Sequence, residues 1–170
     1  MILIGLGGNL PSAKFGPPVA TLAAALRRLP EVGVAVAARS RWYRSAPVPS
    51  SSQPWFVNAV VAVDTGLDPL TLLAALLQVE TAFGRDRGTA GEPWAARVLD
   101  LDLLDYDGRI LNILGPPAGL ILPHPRLQDR AFVLRPLLDI APGWRHPVSG
   151  LDAAALLAAI APAQRVEVLE

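Results

Sequence analysis

Apolar and polar positions recur with two different periods along this chain, and the changes of period mark its elements. "ILIGLGG" (2–8) reads as a buried strand ending in glycines. "PPVATLAAALRRL" (17–29) has prolines at its mouth and apolar residues at helical spacing, which predicts a helix. "VAVAARSRWYRSA" (34–46) is strand-like, and "PVPSSSQP" (47–54) is a loop that no regular element absorbs. "WFVNAVVAVDT" (55–65), rich in β-branched and aromatic residues, is the clearest strand. "DPLTLLAALLQVETAFG" (68–84) predicts a helix with Asp68 as N-cap, Pro69 in the first turn and Gly84 past its end.

A second glycine-rich irregular loop, "RDRGTAGEPWAA" (85–96), leads to a strand at "RVLDLDLLDYD" (97–107), and Asp107-Gly108 predicts a tight turn into "RIL". Further on, 122–142 reads as a loop then a short helix, 151–161 as another helix and 165–169 as a last edge strand. The first 107 residues therefore run β-α-β-β-α-β. That order predicts an α/β (α+β) fold: a ferredoxin-like core, its antiparallel sheet carrying its helices on one side, with a C-terminal extension. At 170 residues without an internal repeat or linker, one domain over 1–170 is expected.

Composition narrows the chemistry. The chain is 52% hydrophobic, too rich for disorder, yet no apolar run reaches the ~18 residues of a membrane span. "MILIGLGGNL" lacks the basic segment of a signal peptide, so a soluble, cytoplasmic protein is expected. With no cysteine there is neither a disulfide framework nor a thiolate ligand or nucleophile. Zero formal net charge argues against bulk attraction to nucleic acid. Lys14 is followed by Phe15, so no Walker loop exists, and Leu10 stands where a dinucleotide fingerprint needs its third glycine.

What remains is Asp100 and Asp102, with Arg97 just ahead and Arg85 and Arg87 in the preceding loop. Residues two apart on a strand share a face, ~6.6 Å apart, so the two carboxylates repel each other within an apolar run. One reading makes them the solvated face of an edge strand, with Leu99, Leu101 and Leu103 as its core face. In the other they hold Mg²⁺, a hard cation that takes one or two carboxylates, waters and substrate phosphates. The arginines would then neutralise charge on a transferring phosphoryl group.

"GGNLPSA", "SRWYRSAPV…QPWFVNAVV", "VETAFGRDR…EPWAARVLDLDLL" and "LPHPRLQDRAFVLRPLLDIAP" occur in the order and spacing of one enzyme family. From residue 5 to about 142 the chain resembles the 6-hydroxymethyl-7,8-dihydropterin pyrophosphokinases of folate biosynthesis. The resemblance implies transfer of pyrophosphate from ATP to the pterin hydroxymethyl group, leaving AMP. It implies two Mg²⁺ ions on Asp100 and Asp102, with Arg85, Arg97 and Asp100 in catalytic roles. Ser45, Val48, Phe56, Asn58, Trp94 and Phe132 would bind the pterin. Glu80, Arg87, Leu103, His124 and Arg130 would bind ATP.

The flat bicyclic pterin calls for an aromatic sandwich and a side chain that both donates and accepts, which Asn58 supplies. The segments 11–16, 47–54 and 85–96 would be the mobile loops that close over the substrates. Departures from the family pattern are Pro11-Ser12 after Asn9-Leu10, an aromatic without a hydroxyl at Phe56, and "AGLIL" (118–122) before "PHP". The implied partners are the two small-molecule substrates alone, with no nucleic acid and no membrane, acting on a monomer. The alternatives are another Mg-dependent nucleotide phosphotransferase or a non-catalytic homologue; an RNA-binding module lacks the RNP1 pattern. Residues 141–170 carry no readable motif.

Overall fold

The computed structural model describes residues 1–84, 96–115, 119–160 and 164–169. The first half runs β1 (Ile2–Gly8), α1 (Pro18–Arg28), β2 (Ala35–Arg39), β3 (Trp42–Ser45), β4 (Phe56–Asp64), α2 (Pro69–Ala82) and β5 (Asp100–Tyr106). Then come β6 (Leu111–Ile113), β7 (Leu120–Leu122), α3 (Ala131–Ile140), α4 (Ala153–Ala159) and β8 (Val166–Leu169). The main sheet is ordered β5-β1-β4-β3-β8, with β2 also paired to β4, and every pairing is antiparallel. No helix among the described residues is long and apolar enough to cross a membrane.

Alternation sorts the strands' side chains into two cores. Ile2, Ile4 and Leu6 of β1, Val57, Val61 and Val63 of β4, and Leu101 and Leu103 of β5 pack on one face. There they meet Leu22 and Ala25 of α1 and Leu72, Leu76 and Val79 of α2. Leu3, Val60, Ala62 and Leu104 face the other way, onto Val133, Leu134 and Leu137 of α3 and Ala153 and Leu156 of α4. The expectation of helices on one side therefore holds for α1 and α2 only; the C-terminal helices cover the second face. The pairing of β1 with β5 skips Leu104 between Leu3 and Ile4. This bulge resets the phase, so that Tyr106 joins Leu101 and Leu103 in the first core.

Most boundaries follow the sequence signals. The Asp68 side chain accepts from the N–H groups of Leu70 and Thr71 and caps α2. Asp107 and Gly108 adopt φ of 52° and 68°, the left-handed pair that a tight turn of this kind needs. Three signals misled. The segment 34–46 breaks into β2 and β3 because Ser40 Oγ accepts from Val60 N–H (3.1 Å) and donates to Arg41 C=O (2.8 Å). The turn at 107–108 does not pair the next strand with β5; β6 pairs with β7 instead. And β5 begins at Asp100, three residues later than the apolar pattern suggests.

Candidate active site

The late start of β5 is the first feature of the site. Arg97 is stitched across to the end of β1: its C=O accepts from the N–H groups of Asn9 (2.9 Å) and Leu10 (3.2 Å), and its N–H donates to Asn9 Oδ1 (2.8 Å). The chains approach so closely that a Cβ on Gly8 would lie 2.5 Å from the carbonyl oxygen of Val98, so only glycine fits there. Asn9 Nδ2 also donates to Gln53 Oε1 (3.3 Å) and to the C=O of Pro54 (3.1 Å). One buried amide thus ties together the end of β1, the approach to β5 and the loop before β4.

Beyond this knot, one row of residues crosses the second face of the sheet: Asp100 on β5 stands opposite Gly7 on β1, which stands opposite Asn58 on β4. In the next row Asp102 stands opposite Gly5. The glycines carry no side chain on that face, so the floor is low there. A cleft of about 310 Å³ opens above it, walled by Arg130, Phe132 and Val133 on one side and by Ala46–Pro49, Ser51 and Gln53 on the other. Five of the residues assigned to a pterin line this cleft: Ser45, Val48, Phe56, Asn58 and Phe132. Asn58, 4% exposed, donates from Nδ2 to Ser45 Oγ at 2.9 Å, which fixes its amide among apolar neighbours.

Both carboxylates line the same cleft, and so do Arg97 and Arg130. Arg97 Nη1 donates to Asp100 Oδ2 at 2.6 Å, whereas Arg130 Nη1 reaches Asp102 Oδ2 only at 3.4 Å. The Asp102 side chain is 34% exposed, into the cleft. Burial in the surrounding protein, and then the charge of Asp100, push its carboxyl up to about 6, with Arg130 opposing. The solvated-face reading of this pair therefore gives way: the two acids stand on the floor of a cleft, at a cost to the protein.

Three further candidates lie outside the lining, along the outer edge of β5. Glu80, 1% exposed, accepts from the N–H of Leu101 (2.7 Å) through Oε1. The Leu103 side chain is buried in the first core, so a ligand can meet only its main chain, which alternation along β5 turns outward like that of Leu101. His124 donates from its N–H to the C=O of Leu104 (2.8 Å), and its Nδ1 accepts from Arg126 N–H (3.1 Å). Burial, then Arg130, lower the imidazole to about 4, so His124 is neutral at pH 7, with its proton on Nε2. Arg85, Arg87 and Trp94 lie outside the described residues.

Sequence reasoning missed Gly5, Gly7, Asn9 and Gln53. The glycines carried a signal, being spaced two apart on a strand, one face of which they clear. Asn9 carried a weaker one, as a polar residue directly after an apolar strand. Gln53 carried none.

This geometry invites comparison with known proteins. A family model described as 7,8-dihydro-6-hydroxymethylpterin-pyrophosphokinase matches residues 3–142. The 2-amino-4-hydroxy-6-hydroxymethyldihydropteridine pyrophosphokinase of Synechocystis sp. is 42% identical over 149 residues, 87% of this chain and 70% of that one. The protein of the same name from Methylorubrum extorquens is 42% identical over 140 residues, 82% of this chain and 81% of that one. Among solved structures, wild-type Plasmodium falciparum HPPK-DHPS with SDX-DHP superposes with a TM-score of 0.66 at 14% identity. That match covers 92% of this chain but only 43% of the solved one, and at such identity it bears on the fold alone.

Proposed function

The chain belongs to the 7,8-dihydro-6-hydroxymethylpterin-pyrophosphokinase family, and we propose that the cleft over Asp100 and Asp102 is where its reaction takes place. It is an enzyme of folate synthesis that transfers pyrophosphate from ATP to the hydroxymethyl group of the dihydropterin. The hydroxymethyl oxygen bonds to the β-phosphorus of ATP and gives up its proton to water, the bond from that phosphorus to the oxygen of the α-phosphate breaks, and AMP departs.

The floor of the cleft suits the pterin. Asn58 reads the amide and amine edge of the ring, while Phe56 and Phe132 offer faces for stacking, with Ser45 at the end of β3 and Val48 on the loop after it beside them. The nucleotide then lies on the far side of the acids, along the outer edge of β5. The outward main chain of Leu103, the neutral Nε2–H of His124, Glu80 and Arg130 are all within that region. Asp100 and Asp102 stand between the two halves, where the triphosphate has to meet the hydroxymethyl group.

The donor set fits Mg²⁺. Two hard carboxylates two residues apart on a strand can hold it, and their mutual repulsion is what a divalent cation relieves. Among the described residues no group of three His, Asp or Glu comes together to hold a metal unaided, so the remaining ligands come from water and phosphate. Two bound Mg²⁺ ions supply neutralisation of the triphosphate and orientation of the reacting groups. The chain's own residues add positioning: Arg97 holds Asp100 and meets charge developing on the transferred group, and Arg130 does the same beside Asp102. No strong base is needed. We read the 170 residues as one domain acting as a monomer in the cytoplasm, with two small molecules as its partners.

The observation that carries this reading is the placement of Asp100 and Asp102, with Arg97 and Arg130 upon them, on the floor of the cleft that also holds Asn58. Its test is release of AMP, not ADP, from ATP with the hydroxymethyl dihydropterin, dependent on Mg²⁺ and lost in Asp102→Ala. ADP as product would indicate a different nucleotide phosphotransferase. ATP binding without any nucleotide product would indicate a non-catalytic homologue.

A further inference from the structure

The first turn of α3 carries Arg130 and Phe132 into the cleft, yet it has an unusual start. Its N-cap is Arg130 itself, which makes no side-chain cap. An arginine cannot accept a hydrogen bond, so the first N–H of the helix needs an acceptor from elsewhere. That acceptor is Gln164, 33 residues further along the chain: its Oε1 accepts from Ala131 N–H at 2.9 Å. The same amide donates from Nε2 to the C=O of Asp129 at 2.8 Å. One planar side chain therefore grips the main chain on both sides of Arg130.

The next residue reaches the opposite wall. The C=O of Arg165 accepts from Ala46 N–H (3.2 Å), its guanidinium lies 5.0 Å from the Trp55 ring, and β8 continues the link by pairing Val166 with Ser45. Residues 164–166 thus span both walls of the cleft, although they lie beyond the segment matched by the family model, 3–142.

We propose that Gln164 is a positioning residue for pyrophosphoryl transfer. By clamping Asp129 C=O and Ala131 N–H it fixes the backbone dihedrals of Arg130. The guanidinium is then aimed at Asp102 and lies 5.4 Å from the Phe132 ring. Without the clamp the helix start frays, and Arg130 samples orientations that miss the nucleotide. The inference rests on the reading of Arg130 as a nucleotide-binding residue.

A double-mutant cycle tests it, with calorimetric affinity for Mg²⁺-bound α,β-methylene-ATP and steady-state kcat and KM as readouts. Gln164→Met keeps the size but loses both hydrogen bonds; it should weaken nucleotide binding and kcat/KM about tenfold. Gln164→Glu keeps the acceptor for Ala131 N–H but sets a carboxylate oxygen against Asp129 C=O, so it should recover only part of that loss. In an Arg130→Ala background, Gln164→Met should have little further effect on the affinity. Equal tenfold losses in both backgrounds would overturn the proposal. So would a lower melting temperature with unchanged affinity, kcat and KM, since that is what a merely structural clamp would give. If Arg130→Ala itself leaves nucleotide affinity and turnover intact, the reading of Arg130 fails first, and the proposal with it.

Discussion

Asp102 and Asp105 lie three residues apart on the same strand and live under opposite conditions. Asp105, 2% exposed, accepts from Gly108 N–H at 2.8 Å and from Trp144 Nε1–H at 2.6 Å, both fixed neutral donors. Asp102 has Arg130 at 3.4 Å and a like charge two residues away. A carboxylate that serves the fold is given its donors by the fold. A carboxylate left short of them, beside another, keeps acceptor capacity that the fold does not fill. On the proposed reading the closed end of β5 is structural and the open end functional, as expected where a protein tolerates local strain at its working site.

The comparison breaks or holds most visibly in activity. Asp102→Asn should lower AMP formation by at least ~10²–10³-fold, the scale of losing a main electrostatic contact to the reacting group. Asp100→Ala should do the same. Asp105→Asn should leave kcat within a few-fold and instead lower stability by roughly 1–3 kcal/mol, since it disturbs buried hydrogen bonds. For a chain of this size that is a fall in melting temperature of roughly 2–4 °C per kcal/mol. If Asp105→Asn abolished activity with a normal melt, the division of β5 into two ends would be wrong.

Ligand-induced stabilisation sharpens the same contrast. Mg²⁺ with α,β-methylene-ATP at a hundred times its dissociation constant should raise the stability of the wild type by about 2.7 kcal/mol. Asp105→Asn should show the full shift. Asp102→Asn should lose most of it, as should the wild type in excess chelator. A smaller effect belongs to Asn58, which shares features of both acids: its amide is anchored to Ser45 yet faces the cleft. Asn58→Ala should raise the pterin KM about tenfold, the worth of one ~1.4 kcal/mol contact, with the ATP KM unchanged. A change confined to ATP would reverse the two halves of the cleft.

How much of this could be read from the chain depends on the range of the interactions. Apart from 34–46, which reads as one strand and is two, the order of strands and helices up to β5 was legible because hydrophobic period and capping residues such as Asp68 act within a few positions. The break at Ser40 was not, because it depends on a hydroxyl meeting Val60, 20 residues away. Nor was the start of β5 at Asp100, since Arg97 is pulled from the strand by Asn9, 88 residues distant. The acid pair stood out as two charges in an apolar run, and Asn58 as an amide in a buried strand. Gln164 did not, because a glutamine near a chain end looks like any surface residue until the helix start it caps is seen.

The smallest expected effect concerns pH, and it isolates the open end from the closed one without any ligand. The Asp102 carboxyl is raised from 3.8 to about 6, so between these values the folded chain keeps a proton that the unfolded chain has lost. Stability of the ligand-free protein from this source is therefore full below pH 4 and drains away as the pH climbs through 6. Allowing for the exposed third of the side chain, the loss is on the order of 1 kcal/mol, a few degrees in the melt. Asp139 runs the other way: held by Arg41 and Tyr43, its carboxyl is lowered, so its contribution is present above the ordinary carboxylate range and disappears in acid. The melting difference between wild type and Asp102→Asn should accordingly be near zero at pH 4 and grow to a plateau above pH 6.5. The difference between wild type and Asp139→Asn should change only at lower pH. If Asp102→Asn melts in parallel with the wild type from pH 4 to 7, the open end of β5 carries no electrostatic burden, and the reason for placing a cation there goes with it.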